Sequence, residues 1–181
     1  MKLKLSLLIF ITTILSFGQT KNSNMNIYNI KLNTIDNESI TLGKFKGKYL
    51  LIVNVASECG YTPQYKDLKK LQEEYKDNIV VIGVPCNQFG KQEPGTATQI
   101  KSFCAITYGI DFLLTEKLVV KGEDQHPLYQ WLTMKEHNNE FDSEVEWNFE
   151  KYLINPEGKL LESFKSKIKP LDVSITNYLK K

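Results

Sequence analysis

The stretch YLLIVNVASECGYTPQY, residues 49–65, decides the fold of this 181-residue chain. Its first half is a nearly continuous apolar run, which is typical of a strand buried on both faces of a parallel sheet. Thr62 and Pro63 then mark a helix start, with threonine at the N-cap and proline at the first helical position. A second buried strand, IVVIGV at residues 79–84, follows this helix. The strand–helix–strand unit predicts an α/β fold with parallel strands.

Cys59 falls between the first of these strands and the helix. A thiol at a helix start can be drawn toward thiolate by the positive end of the helix, and the thiolate is the nucleophile. An inert buried thiol is the common alternative, but the adjoining Gly60 allows close approach and favours a reactive one. Two further runs, IGVPCNQFGKQEPG at 82–95 and EWNFEKYLI at 146–154, also place polar side chains at probable strand ends. Together the three runs indicate one active site.

These runs resemble the motifs of the glutathione peroxidase family. Family members carry NVAS followed by selenocysteine or cysteine and glycine, then FPCNQFGxQEPG, then WNFxK(F/Y)L, in this order and at comparable spacing. The resemblance covers the chain from about residue 25 to its end. It implies a thioredoxin-like α/β fold, with a central mixed β-sheet flanked by helices, in one domain over residues 25–181.

The resemblance also implies a catalytic tetrad of Cys59, Gln92, Trp147 and Asn148. Taken alone, Trp147 would more often be a core residue, and the two amides would be turn or surface residues. In peroxide reduction the thiolate attacks one oxygen, the O–O bond breaks and the cysteine becomes a sulfenic acid. The amide and indole N–H groups are neutral donors that can stabilise the developing charge. We therefore expect an antioxidant enzyme that reduces hydrogen peroxide and organic or lipid hydroperoxides during oxidative stress.

The other two cysteines have different expected roles. Cys104 lies on a helix opened by the capping box of Thr96 and Gln99, where family members that use thioredoxin carry a resolving cysteine. The resemblance implies that Cys104 attacks the oxidised Cys59 and forms a disulfide that a thioredoxin-like protein reduces. A core cysteine or a static structural disulfide is the open alternative. We interpret Cys86 as a small packed residue.

All 23 basic residues of the chain are lysine. Peroxiredoxins polarise peroxide with an arginine, so the absence of arginine disfavours that family. A guanidinium would also hold the carboxylates of glutathione bidentately, and lysine is less directional. We therefore expect a thioredoxin-like reductant ahead of glutathione.

Three alternative functions remain open. The first is a single-cysteine peroxidase recycled by glutathione. The second is a thiol–disulfide oxidoreductase, although Cys59 lacks the second cysteine of a CxxC pair, and the third is a redox sensor or binding module that passes oxidation to a partner.

Residues 1–19, MKLKLSLLIFITTILSFGQ, have the form of a secretory signal peptide. A membrane anchor or an N-terminal core helix is the alternative, but the apolar stretch from Leu5 to Phe17 is shorter than the about 20 residues of a spanning helix. We expect export to the periplasm or the medium, without stable membrane insertion. Loss of Lys2 and Lys4 would leave equal numbers of lysine and acidic residues, so a nucleic-acid partner is not implied.

No cofactor or metal is expected, because His126 and His137 are too isolated to form a recognisable Cys/His site. The stretch between the His126 helix and Trp147 lacks the longer insertion that tetrameric family members use for assembly. The resemblance therefore implies a monomer with an open site. Beyond the central unit, the patterns predict helices over 96–107, from 127 to about 137 and over 170–179, with strand hairpins in 27–42 and 149–164.

Overall fold

The structure, a computed structural model, describes residues 25–180. Over this range the chain forms a two-stranded hairpin and a five-stranded mixed sheet. The hairpin pairs β1 (Lys31–Asn33) with β2 (Ser39–Thr41). The strands of the larger sheet are β3 (Tyr49–Val55), β4 (Ile79–Pro85), β5 (Leu113–Leu114), β6 (Lys151–Ile154) and β7 (Leu160–Phe164). Their order is β5–β4–β3–β6–β7, so the sheet is centred on the strand that carries the first motif.

Helices cover both faces of this sheet. They are α1 (Gln64–Glu74), α2 (Ala97–Tyr108), α3 (Pro127–Thr133), α4 (Lys135–Asn138) and α5 (Val173–Leu179). The predicted mixed sheet with flanking helices is therefore confirmed. Within residues 25–180 no helix is long and apolar enough to cross a membrane. The predicted signal peptide, residues 1–19, lies outside the described residues.

Strand pairing brings the ends of the motif segments together. β3 and β4 are parallel, with Val55 opposite Pro85, so both strands end at the same edge of the sheet. β6 is antiparallel to β3, with Lys151 opposite Val53, so β6 begins at that edge. Cys59 follows β3, the QEPG loop follows β4, and Trp147 precedes β6. The single active site that the sequence predicts therefore corresponds to one edge of the sheet.

The sheet separates two hydrophobic clusters. Because side chains alternate along a strand, Leu50 and Ile52 of β3 face one cluster and Leu51 and Val53 face the other. The first cluster includes α3 and the second includes α1, α2 and α5. Cys59 and Cys104 belong to the second cluster, and Cys86 belongs to the first. The two cysteines with predicted redox roles therefore share one face of the sheet.

Several element boundaries differ from the sequence predictions. α1 begins at Gln64 with Pro63 as its N-cap residue, because the Thr62 hydroxyl is engaged with the preceding loop instead of capping the helix. The predicted helix from Pro127 to about His137 is two helices, since Met134 between them has extended backbone. The last helix begins later than Pro170, because the Asp172 carboxylate accepts the Ser174 N–H and caps it there.

Candidate active site

Cys59 lies in a turn between β3 and α1 that is held by several hydrogen bonds. Cys59 is 7% exposed, so the residue is nearly covered by its surroundings. The Tyr61 backbone N–H donates to Cys59 Sγ at 3.4 Å, which places a donor against the sulfur. The Cys59 N–H donates to Thr62 Oγ1 at 3.0 Å, and the Thr62 hydroxyl donates to the Ala56 carbonyl at 2.8 Å. These bonds fix the thiol at the end of the strand.

Gln92 joins the Cys59 turn to the third motif. Its carbonyl oxygen accepts the Glu58 N–H at 3.0 Å, and its side-chain Oε1 accepts from Asn148 Nδ2 at 3.0 Å. Because Asn148 occupies that oxygen, the amide NH₂ of Gln92 remains available as a donor. Asn148 is fully buried and also donates to the Phe89 carbonyl at 3.5 Å. The geometry thus makes Asn148 the residue that orients Gln92.

Trp147 stands at the mouth of the site and is not a core residue, since it is 40% exposed. Its ring packs against Phe89, with ring centroids 5.9 Å apart. With Tyr61 it lines a cavity of about 310 Å³ that opens beside the cysteine turn, and the remaining walls are Glu146, Glu150, Lys165, Ser166 and Lys167. Over the described residues no hydrogen bond joins Gln92, Trp147 or Asn148 to the Cys59 sulfur, so the tetrad stays a prediction.

Asn54 of β3 anchors the third motif, and sequence reasoning did not single it out. Its Nδ2 donates to the Trp147 carbonyl at 2.9 Å, and its Oδ1 accepts the Glu150 N–H at 3.0 Å. Its main-chain carbonyl accepts the N–H of Phe149, which has a left-handed φ of 63°. Left-handed backbone is unfavourable for a bulky residue, so these bonds hold a strained turn in place. The sequence signal that could have identified Asn54 is an amide side chain within the otherwise apolar run LLIVNVA.

Lys151 is a second unpredicted part of the site. It is fully buried, and its ammonium donates to Gln64 Oε1 at 2.6 Å and to the carbonyls of Phe149 and Ile168 at 2.8 and 2.6 Å. Burial lowers the pKa of Lys151 to about 7, while Glu150 and Asp67 oppose this shift. The oxygens around it favour the ammonium form. Lys151 thereby ties the first residue of α1 to the third motif.

The two other cysteines occupy different faces. Cys104 is buried on α2, where burial raises the pKa of its thiol to about 11. Cys86 is fully buried on the opposite face, and burial raises the pKa of its thiol as well. That packing agrees with the interpretation of Cys86 as a small packed residue. All three cysteines are free thiols in this structure. Residues 25–180 contain no cluster of His, Cys, Asp and Glu placed to hold a metal ion.

The five-stranded mixed sheet flanked by helices, with the motif segments at one edge of the sheet, defines a thioredoxin-like fold. The family model for glutathione peroxidase matches residues 27–133. With relatives about 40% identical over most of its length, the chain belongs to the glutathione peroxidase family, and it is a peroxidase.

Two relatives illustrate the match. Glutathione peroxidase-like peroxiredoxin 2 of Saccharomyces cerevisiae is 42% identical over 157 residues, covering 85% of this chain and 97% of the yeast protein. A hydroperoxy fatty acid reductase of Synechocystis is 40% identical over 161 residues, covering 86% of this chain and 95% of the relative.

Solved structures confirm the thioredoxin-like fold. The crystal structure of T. cruzi GPX1 superimposes with a TM-score of 0.66 at 31% identity, over 85% of this chain and 94% of that one. A thioredoxin-family thiol:disulfide interchange protein from Chlorobium tepidum has a TM-score of 0.61 over 86% of this chain and 96% of its own. Its sequence identity is 14%, so this second likeness concerns the fold alone.

Proposed function

We propose that the chain reduces hydrogen peroxide and organic or lipid hydroperoxides through a Cys59 sulfenic acid, which Cys104 resolves and a thioredoxin-like protein recycles. The observation that carries this proposal is the distribution of the cysteines. Cys59 and Cys104 lie in one hydrophobic cluster on one face of the sheet, and Cys86 packs on the other face. A disulfide between the first two therefore does not have to cross the sheet.

The peroxide step uses groups at the edge of the sheet. The Cys59 thiolate attacks one peroxide oxygen, the O–O bond breaks, and the departing alkoxide takes up a proton. The free amide NH₂ of Gln92 and the indole N–H of Trp147 are the donors available to stabilise the developing charge. The Synechocystis relative is named for hydroperoxy fatty acids, which supports lipid hydroperoxides as substrates.

The resolving step requires α2 to open locally. Cys104 is 1% exposed, and a disulfide needs Cα atoms within about 7 Å of each other. Cys104 lies in the last turns of α2, which ends at Gly109 in the left-handed conformation that terminates helices. Helix ends open at low free-energy cost, so unwinding from Gly109 back to Cys104 releases the thiol. The capping box of Thr96 and Gln99 holds the opposite end of the helix meanwhile.

The basic residues of the chain support a thioredoxin-like reductant. Every basic position is lysine, and lysine holds the carboxylates of glutathione less well than arginine. A protein reductant instead needs access to an exposed disulfide, which the opening of α2 would provide.

Steady-state peroxide turnover with thioredoxin and with glutathione tests this cycle. Cys104→Ser should keep the first oxidation of Cys59 but lose thioredoxin-supported turnover by about 100-fold, because no internal disulfide forms. Cys86→Ser makes the same chemical change on the other face and should keep both activities. Normal thioredoxin turnover in Cys104→Ser, or a disulfide that contains Cys86, would instead support a single-cysteine peroxidase recycled by glutathione.

We also propose that the protein is exported and monomeric. The signal-peptide form of residues 1–19 supports export, and the short segment before Trp147 supports the monomer. Native mass spectrometry of protein recovered from its host measures both the N-terminus and the oligomeric state. The expected species is a single chain that begins near Gln19, and a chain that retains Met1 or a stable tetramer would contradict the respective proposal.

A further inference from the structure

Three titratable side chains form a buried cluster behind the active site. They are Tyr65 of α1, Glu93 of the loop after β4, and Cys104 of α2, and each is at most 1% exposed. Glu93 Oε1 accepts the Ser57 hydroxyl at 2.7 Å, but Glu93 Oε2 has no hydrogen-bond partner over the described residues. The Tyr65 hydroxyl lies beside the Cys104 thiol without a well-formed hydrogen bond. The cluster that contains the Cys104 thiol therefore also contains a buried carboxylate oxygen without a hydrogen-bond partner.

Glu93 also lies between the two cysteine segments. It lines a cavity of about 430 Å³ together with Ser57 and Glu58, which directly precede Cys59. The opposite wall is α2, through Gln99, Ile100 and Phe103, and Phe103 directly precedes Cys104. Glu93 is held firmly there, because its backbone N–H donates to Asn87 Oδ1 at 2.9 Å. Glu93 thus lines the same cavity as the segment that leads to Cys59 and the helix that carries Cys104.

The resolving reaction requires both a base and an acid. The thiolate form of Cys104 must attack, but burial raises the pKa of that thiol to about 11, and the Glu93 carboxylate adds to the rise while the Tyr65 hydroxyl opposes it. While α2 is folded, Cys104 is therefore a thiol at neutral pH, and its conversion to the attacking thiolate requires a base. The hydroxide that leaves the Cys59 sulfenic acid requires an acid. None of Gln92, Trp147 and Asn148 can accept a proton near neutral pH.

We propose that Glu93 takes the proton of the Cys104 thiol before α2 opens and delivers it to the hydroxide that departs from Cys59 when the disulfide forms. The S–S bond forms as the S–O bond of the sulfenic acid breaks, the Cys59 sulfur is reduced, the Cys104 sulfur is oxidised, and the transferred proton completes a water molecule. Glu93 ends the step as the carboxylate with which it began. This inference rests on the resolving role proposed for Cys104.

The surroundings of Glu93 suit a base. Burial raises the pKa of its carboxyl group, which makes the carboxylate a stronger base than an exposed one. The Ser57 hydroxyl and the Lys117 ammonium lower this pKa, and Glu58 raises it further. Lys117 is held near the carboxyl group by donating to the Gly95 carbonyl at 2.9 Å. The Ser57 hydroxyl and the Lys117 ammonium thus limit the rise in the pKa of Glu93 and favour its carboxylate form.

Rapid mixing with one equivalent of hydrogen peroxide separates the two steps, with peroxide loss reporting the first and Cys59–Cys104 disulfide formation the second. Glu93→Gln should leave peroxide loss within about threefold of the unaltered protein and slow disulfide formation by about 30-fold or more at pH 7. Its disulfide rate should then rise about tenfold per pH unit toward the pKa of Cys104, because hydroxide must replace the base. Asp111→Asn removes an exposed carboxylate just after α2 and should change neither step.

Ser57→Ala provides a second, independent readout that does not depend on the folding of the first variant. Since the Ser57 hydroxyl lowers the pKa of Glu93, its removal should move the acid limb of the disulfide-formation profile to higher pH and leave the plateau rate unchanged. Disulfide formation at the unaltered rate and pH profile in Glu93→Gln, equal slowing of both steps, or an unmoved limb in Ser57→Ala overturns the proton-transfer role. If the unaltered protein forms no Cys59–Cys104 disulfide, the resolving role of Cys104 fails, and this inference fails with it.

Discussion

At the scale of single residues, the site depends on polar side chains inside the fold. Asn54 is fully buried in an otherwise apolar strand, yet it holds both the Trp147 carbonyl and the Glu150 N–H. Asn148 is buried as well and orients Gln92. The reactive geometry around Cys59 is thus supported by residues that never touch the sulfur.

Replacing Asn54 with alanine should weaken both the fold and the activity. Two backbone groups would lose their partners at a cost of about 1–3 kcal/mol each, so we expect the free energy of unfolding to fall by ~2–6 kcal/mol. The peroxide step should slow by about tenfold, since Trp147 and Asn148 lose their anchor. Urea denaturation and stopped-flow oxidation measure the two effects. Asn177→Ala on the exposed face of α5 is the control, and unchanged values in Asn54→Ala would contradict the anchoring role.

At the scale of secondary-structure elements, long periodic patterns predicted the fold well. β3 and β4 are continuous apolar runs, and Thr96 with Gln99 forms the expected capping box at the start of α2. β5 has only Leu113 and Leu114, too few residues for any periodicity to be visible. The predicted start of α1 was wrong because the Thr62 hydroxyl can either cap the helix or bond to the preceding loop. In the folded chain it bonds to the loop, through the Cys59 N–H and the Ala56 carbonyl.

The site was predicted in its location but not in its internal bonds. Chain order and strand connectivity were enough to place the three motif segments at one edge of the sheet. The bond from Asn148 to Gln92 spans 56 residues, and that from Lys151 to Gln64 spans 87. No local pattern reports such contacts, because each depends on how the loops pack after the sheet has formed. The role proposed for Glu93 could not be predicted for the same reason.

At the scale of the whole molecule, the sheet divides the chain into a reactive face and a packing face. Cys59, Cys104 and Glu93 are placed around α1 and α2, while Cys86 is enclosed near α3. In the proposed cycle, oxidation would stay on one face and open the end of α2 without disturbing the opposite cluster. The two cysteines proposed for that cycle would then be separated from the third, which packs in the other cluster.

The rate at which the reduced protein consumes one equivalent of hydrogen peroxide, compared between the unaltered chain and Cys59→Ser, tests the central claim most directly. A hydroxyl is far less acidic than a thiol and a poorer nucleophile toward oxygen, so we predict a loss of at least about 1,000-fold in Cys59→Ser. Circular dichroism establishes that the variant is folded. Peroxide consumption by folded Cys59→Ser at the unaltered rate would contradict the assignment of Cys59 as the reactive group.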